Sequence, residues 1–176
     1  MSSDPLTPDQ ISIYRAVISD YLRGSSDKLN IASTTESPDQ GPLFDYRCMK
    51  RAYGDGTSVH VVHKLDSLLA GNPQLVLVQR QQQEQEIQGN DPQKLIKKAI
   101  DGHEKATDKE LDKSTKKAFE TGLFTLSEIV FDKLHKHAVV AYSFVCGGLC
   151  GNGNTLLLER VGKKWKISKS CGGWVS

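Results

Sequence analysis

The chain has 176 residues, 38% hydrophobic and 25% charged, which is enough apolar content for one folded core and too much for a disordered chain. Its 23 basic and 21 acidic residues leave a formal charge of +2, a near balance that gives no broad positive field for nucleic acid or anionic lipid. No stretch approaches the roughly 20 apolar residues of a membrane-spanning helix, and Met1 to Asp9 lacks the basic and apolar regions of a signal peptide.

Thr7-Pro8-Asp9-Gln10 combines a capping residue, Pro at the first helical position and a Gln that reaches back to the cap, so a helix is predicted to begin at Pro8. Ile11, Tyr14, Val17, Ile18, Tyr21 and Leu22 recur on one face, and Gly24 is a stop signal. Leu29 to Ala32 reads as a short strand within a surface segment, and Ser37 to Pro42 is turn chemistry. Val59 to Val62 and Leu75 to Val78 are further strand predictions, the second of them buried. Gln79 to Gln88 is a polar surface element. Asp91-Pro92 opens a helix with Leu95, Ile96, Ala99 and Ile100 on one face, ended by Gly102. Thr107-Asp108-Lys109-Glu110 is a second capping box, whose helix carries Leu111, Ala118 and Phe119 as far as Gly122. These two short helices are expected to pack.

Beyond Gly122 the period changes to that of strands at Leu126 to Phe131, Ala138 to Val145, Thr155 to Val161 and Trp165 to Cys171. Val161-Gly162-Lys163-Lys164 carries the type II′ hairpin signature, and the Asp132 to Lys136 connection is also short. The expectation is one α+β domain over residues 1–176, mainly helical with short strands over 7–121. An N-terminal helix and two short central helices pack on one face of a four-stranded antiparallel meander spanning 122–176.

Cys146-Gly147-Gly148-Leu149-Cys150-Gly151-Asn152-Gly153-Asn154 joins two of these strands, and its glycines permit close backbone approaches. A phosphate cradle there needs a helix to follow, whereas Thr155 to Glu159 is another strand. Zinc would require Cys146 and Cys150 to meet His60 and His63, whose spacing on a strand faces opposite sides. A thiol nucleophile would require His135 or His137 as base. The structural alternative is a glycine-bulged hairpin, or one pinned by a Cys146 to Cys150 disulfide with Cys48 pairing with Cys171. His103, His135 and His137 read as solvated residues. Asp45, Asp66, Glu128 and Glu159 read as isolated carboxylates. Lys163, Lys164, Lys166 and Lys169 around Trp165 suit an edge strand guarded against aggregation better than a nucleic-acid surface. Trp165 and Trp174 are expected to anchor the sheet. No catalytic, cofactor-binding or metal-ligating set is predicted.

The run from Leu126 to Phe131 through Ala138 to Tyr142, the Cys146 to Gly153 hairpin, Leu156 to Glu159 and Lys164-Trp165-Lys166-Ile167 up to Trp174-Val175-Ser176 resembles a pattern in uncharacterised bacterial proteins, often exported or lipid-anchored. The resemblance implies export and a shared meander, and it favours disulfides among the four cysteines, with Met1 standing in place of a removed leader. The helix followed by a curved meander is also similar in architecture to cystatin-like and nuclear-transport-factor-like cones. The expected function is a non-enzymatic extracytoplasmic domain that binds a protein, a glycan or a cell-envelope component. The alternatives are a cone enclosing a small-molecule or enzymatic pocket, and an intracellular zinc or thiol-redox protein, which would be cytoplasmic.

Overall fold

A computed structural model of the chain describes residues 4–37, 62–102 and 105–176. Helix α1 (Pro8–Tyr21) starts where the capping box places it: the Thr7 hydroxyl accepts the Gln10 N–H while the Gln10 side chain accepts the Thr7 N–H. Strand β1 (Leu29–Ala32), a 3₁₀ turn (Asp66–Leu68) and strand β2 (Leu75–Val78) follow. Then come helices α2 (Arg80–Gly89), α3 (Gln93–Ile100) and α4 (Asp108–Thr121). The second capping box closes on Thr107 and Glu110 at the start of α4. Strands β3 (Leu123–Leu126), β4 (Val130–Phe131), β5 (His137–Gly147), β6 (Cys150–Val161) and β7 (Lys164–Val175) complete the order.

The α+β class holds, but the sheet is mixed rather than a four-stranded antiparallel meander. Its order is β2-β1-β3-β5-β6-β7, with β4 pairing to β5. β1 runs parallel to both β2 and β3, with Leu29 opposite Leu75 and Ile31 opposite Phe124. The β3, β5, β6 and β7 pairings are antiparallel. The segment from Leu29 to Ala32 therefore lies inside the sheet, not on the surface. Gly162 has a φ of 64°, as the predicted hairpin requires.

Alternation assigns the two faces. Leu29 and Ile31 of β1, Phe124 and Leu126 of β3, Ala138 and Val140 of β5, and Leu156 and Leu158 of β6 join Ile13, Tyr14, Val17 and Ile18 of α1 in the main core. The opposite face of β1 and β3 buries Ala32 and Leu123 against Ile87 of α2. Helices thus cover both faces, correcting the one-faced expectation, because a strand with parallel neighbours has no face suited to water.

Two further expectations change. The strand predicted over Leu126 to Phe131 breaks at Ser127–Ile129, where the Glu128 N–H donates to the Glu36 carbonyl at 2.7 Å. On α3, Leu95 and Ala99 are half-buried, but Ile96 and Ile100 stay in solvent and no residue of the helix is buried. Its stripe does not pack as predicted. The strand expected over Val59 to Val62 and the turn from Pro38 fall almost wholly outside the described residues.

Close approaches account for particular glycines. Trp174 of β7 lies over Gly151 and Gly153 of β6, so a Cβ at either position would strike the indole. Gly153→Ala is expected to lower stability by about 1–3 kcal/mol through overpacking. Gly89→Ala, in open space on α2, is expected to be neutral or to raise stability by roughly 0.5–1 kcal/mol. Urea denaturation of both variants distinguishes these outcomes.

Candidate functional site

Cys146 and Cys150 face each other across the β5–β6 turn as a disulfide with Cα atoms 5.1 Å apart. A β-bulge between Val145 and Gly147 brings Gly147 opposite Cys150, which sets up the bridge. Both sulfurs are committed, so neither serves as zinc ligand or nucleophile in this state. Cys171 is disulfide-bonded as well and occupies a second bulge on β7, where Thr155 pairs with Gly172 and Leu156 with Ser170. Cys48, its expected partner, lies outside the described residues, as do His60 and His103. The hairpin tip docks onto the start of α3: the Asp91 carboxylate accepts the N–H of Gly148 at 3.1 Å and that of Gln93 at 3.0 Å. The glycine-rich segment feeds a strand and builds a braced turn instead of a phosphate loop.

Beside this turn, between α2 and the second face of β3 and β5, runs a groove of about 330 Å³. Its floor holds Thr125 and Ser143, cross-strand partners whose hydroxyls are 2.7 Å apart. Leu123, Val145 and Ile87 supply apolar walls, and Gly147, Gly148 and Asp91 form one end. At the opposite end Arg80 is held by Glu36 and, through Nε at 2.8 Å, by Glu84. Burial pushes the Glu36 carboxyl above its usual range and the negative Glu84 adds to this, while Arg80 opposes it. Trp174 lies on the same face over the neighbouring β6 glycines. The groove therefore offers a hydrogen-bonding floor between apolar walls, with charged groups at both ends.

A separate polar cluster is buried at the β3–β4 bend. Glu128 is 1% exposed and accepts the Thr35 hydroxyl, the His63 N–H at 3.0 Å and the His63 ring Nδ1 at 2.9 Å. A carboxylate only accepts, so this geometry assigns the ring hydrogen to Nδ1. Glu128 is thus not isolated, contrary to the sequence reading. The residues that satisfy it lie 65 and 93 positions away, with no local signal to reveal them. Nearby, the buried Tyr14 hydroxyl donates to the Ser127 carbonyl at 2.9 Å. Burial, with the Glu128 charge adding to it, pushes the Tyr14 phenol well above its ordinary value of 10.0. Thr35, His63 and Glu128 are all buried, and the geometry of the cluster is that of a structural lock joining three segments.

The remaining predicted residues are dispersed. His137 is half-exposed but paired, its Nδ1 lying 2.8 Å from Asp132, while its Nε2 is 4.0 Å from Glu159. Desolvation opposes ionisation of Asp132, yet hydrogen bonds from the His137 ring and the His137 and Lys136 backbone hold its carboxyl below the usual value. His135 stacks on Phe131 with centroids 4.8 Å apart. Trp165 is 5% exposed, packed edge-on to Phe131 with Arg160 beside its ring. It is a core anchor and cannot stack on a base. Trp174 is half-buried, and neither indole N–H finds an acceptor among the described residues. Asp66 opens the 3₁₀ turn at the surface, and Asp45 lies outside the described residues.

Removing the Glu128 side chain as Glu128→Ala leaves Thr35 and His63 without their acceptor, and should cost about 3–5 kcal/mol in chemical denaturation. Neutral phenol is the form the fold favours at Tyr14. Its contribution is full below the unfolded value near 10.0 and is lost as pH rises through the higher folded value. Stability measured by denaturation should therefore begin to fall as pH rises past 10.0 and level off above the folded value, with a shallower fall in Tyr14→Phe. Alkylation followed by mass spectrometry on the oxidised, unfolded chain should find no free thiol at Cys146 or Cys150. Searches of protein-family models, curated proteins and solved structures find no match to this chain.

Proposed function

We propose that the chain is a non-enzymatic binding domain whose recognition surface is the groove between α2 and strands β3 and β5, working in an oxidising, extracytoplasmic compartment. The observation that carries this reading is the built character of the groove. A paired Thr125–Ser143 floor lies between apolar walls, at the foot of a hairpin braced by the Cys146–Cys150 bridge and Asp91. A volume of about 330 Å³ is at the small end of ligand sites, the size of one side chain or one sugar ring of a larger partner. The occupant is a protein segment or glycan that presents an apolar face to Leu123 and Val145 and a hydrogen-bonding group to the hydroxyls. The disulfide and the resemblance to exported proteins favour the oxidising compartment.

By contrast, the layer between α1 and the sheet, where a cone would hold its ligand, is filled by Tyr14, Val17, Ile18, Phe124 and Leu158. The interior of that layer offers packing in place of a pocket.

The test is an NMR titration of the oxidised protein with oligosaccharide and peptide libraries. Binding should shift the amides of Thr125, Ser143, Val145 and Gly148, and Val145→Trp, which fills the groove from a partly exposed position, should weaken it at least roughly tenfold. Shifts confined to another surface, unchanged affinity in Val145→Trp, or turnover of a bound molecule would overturn the reading.

A further inference from the structure

At the end of the sheet remote from the groove, two turns project side by side. The β4–β5 turn carries Lys133, Leu134 and Lys136, and the β6–β7 hairpin end carries Val161, the last residue of β6, Lys163 of the turn and Lys164, the first residue of β7. They are neighbours because the Arg160 N–H donates to the Lys136 carbonyl at 2.9 Å. Leu134 is 73% exposed and Val161 53% exposed, one bare aliphatic side chain on each tip. All four lysines are exposed, and none has an ion-pair partner among the described residues.

The acidic groups close to these tips are already engaged. Asp132 receives His137 and two backbone N–H groups, Glu159 accepts the Ser168 hydroxyl at 2.9 Å, and Asp9 faces Arg160 at 3.5 Å. The near balance of charge over the whole chain thus conceals a local cluster of four free cations around two apolar tips.

We infer that these paired tips form a docking surface for an anionic phospholipid bilayer, with Leu134 and Val161 entering the interface while Lys133, Lys136, Lys163 and Lys164 meet the headgroups. Apolar side chains backed by lysines suit a surface with a charged headgroup layer over an apolar interior. Nucleic acid fits less well, because stacking needs an open aromatic face. Here Trp165 is buried and the His135 ring is laid against Phe131.

The inference is independent of the groove. Co-sedimentation of the oxidised full chain is compared on vesicles of phosphatidylcholine alone and of phosphatidylcholine with about one-third phosphatidylglycerol. The anionic vesicles should bind at least roughly tenfold more tightly, and rising salt should weaken that binding. The double variants Lys163→Ala/Lys164→Ala and Leu134→Ser/Val161→Ser should each weaken it by about tenfold. Unchanged melting temperatures would establish that these exposed substitutions leave the fold intact. Val145→Trp should bind vesicles as the parent does, separating this surface from the groove.

Equal binding to both vesicle types would overturn the inference. So would loss in the lysine variant with none in the Leu134/Val161 variant, which would mark a surface for any polyanion. Full displacement by soluble polyglutamate together with indifference to the apolar substitutions would point instead to an acidic protein partner.

Discussion

The pairing of β1 in parallel with both β2 and β3 is the constraint on which the rest of the architecture depends. A strand placed this way is central, so both of its faces must be covered. Leu29 and Ile31 turn toward α1, while Ala32 turns toward Ile87 of α2. Parallel strands cannot be joined by a tight turn, and the chain from β2 to β3 is accordingly long, containing α2, α3 and α4. That crossover is what lays α2 along the second face. Without it, Thr125 and Ser143 would be a pair of hydroxyls on an open sheet rather than the floor of a groove.

Two polar devices hold the irregular parts of this frame. Glu128 gathers Thr35 and His63 at the bend between β3 and β4, so the bend, the chain after β1 and the chain before the 3₁₀ turn are tied at one buried carboxylate. Asp91 performs a lighter version of the same task in a half-exposed place, where it joins the hairpin tip to the start of α3. A buried charge is tolerated only when its hydrogen-bonding capacity is met, which is why the first of these devices requires residues from three places in the chain and the second does not.

What could be read from the sequence was local. Thr7 with Gln10 and Thr107 with Glu110 marked two helix starts because a capping box is complete within four residues. Gly162 marked a hairpin because a turn type dictates its own residues. The short spacing of Cys146 and Cys150 admits a bridge as one of several readings. The parallel pairs were hidden, since β1 is four residues long and its partners are set by packing. The partnership of Glu128 with His63 and the groove were equally invisible, because their members are distant in sequence and meet only in the folded chain. The apolar stripe of α3 is legible as a pattern but not as a packed face: amphipathic spacing states which side is apolar, not what it touches.

The placement of α1 has a consequence for how the protein is made. Helix α1 packs against β7, while its Asp9 faces Arg160 of β6 and its Tyr14 hydroxyl reaches Ser127 of the β3–β4 bend. Ile13, Val17 and Ile18 therefore have only part of their burial site, from Leu29, Ile31, Leu65 and Leu68, until the strands beyond residue 123 have been synthesised. A growing chain cannot complete this core stepwise, and α1 stays partly uncovered until those later strands emerge. Folding of this core is thus a late, concerted event, reached only after the ribosome has delivered both ends of the sheet.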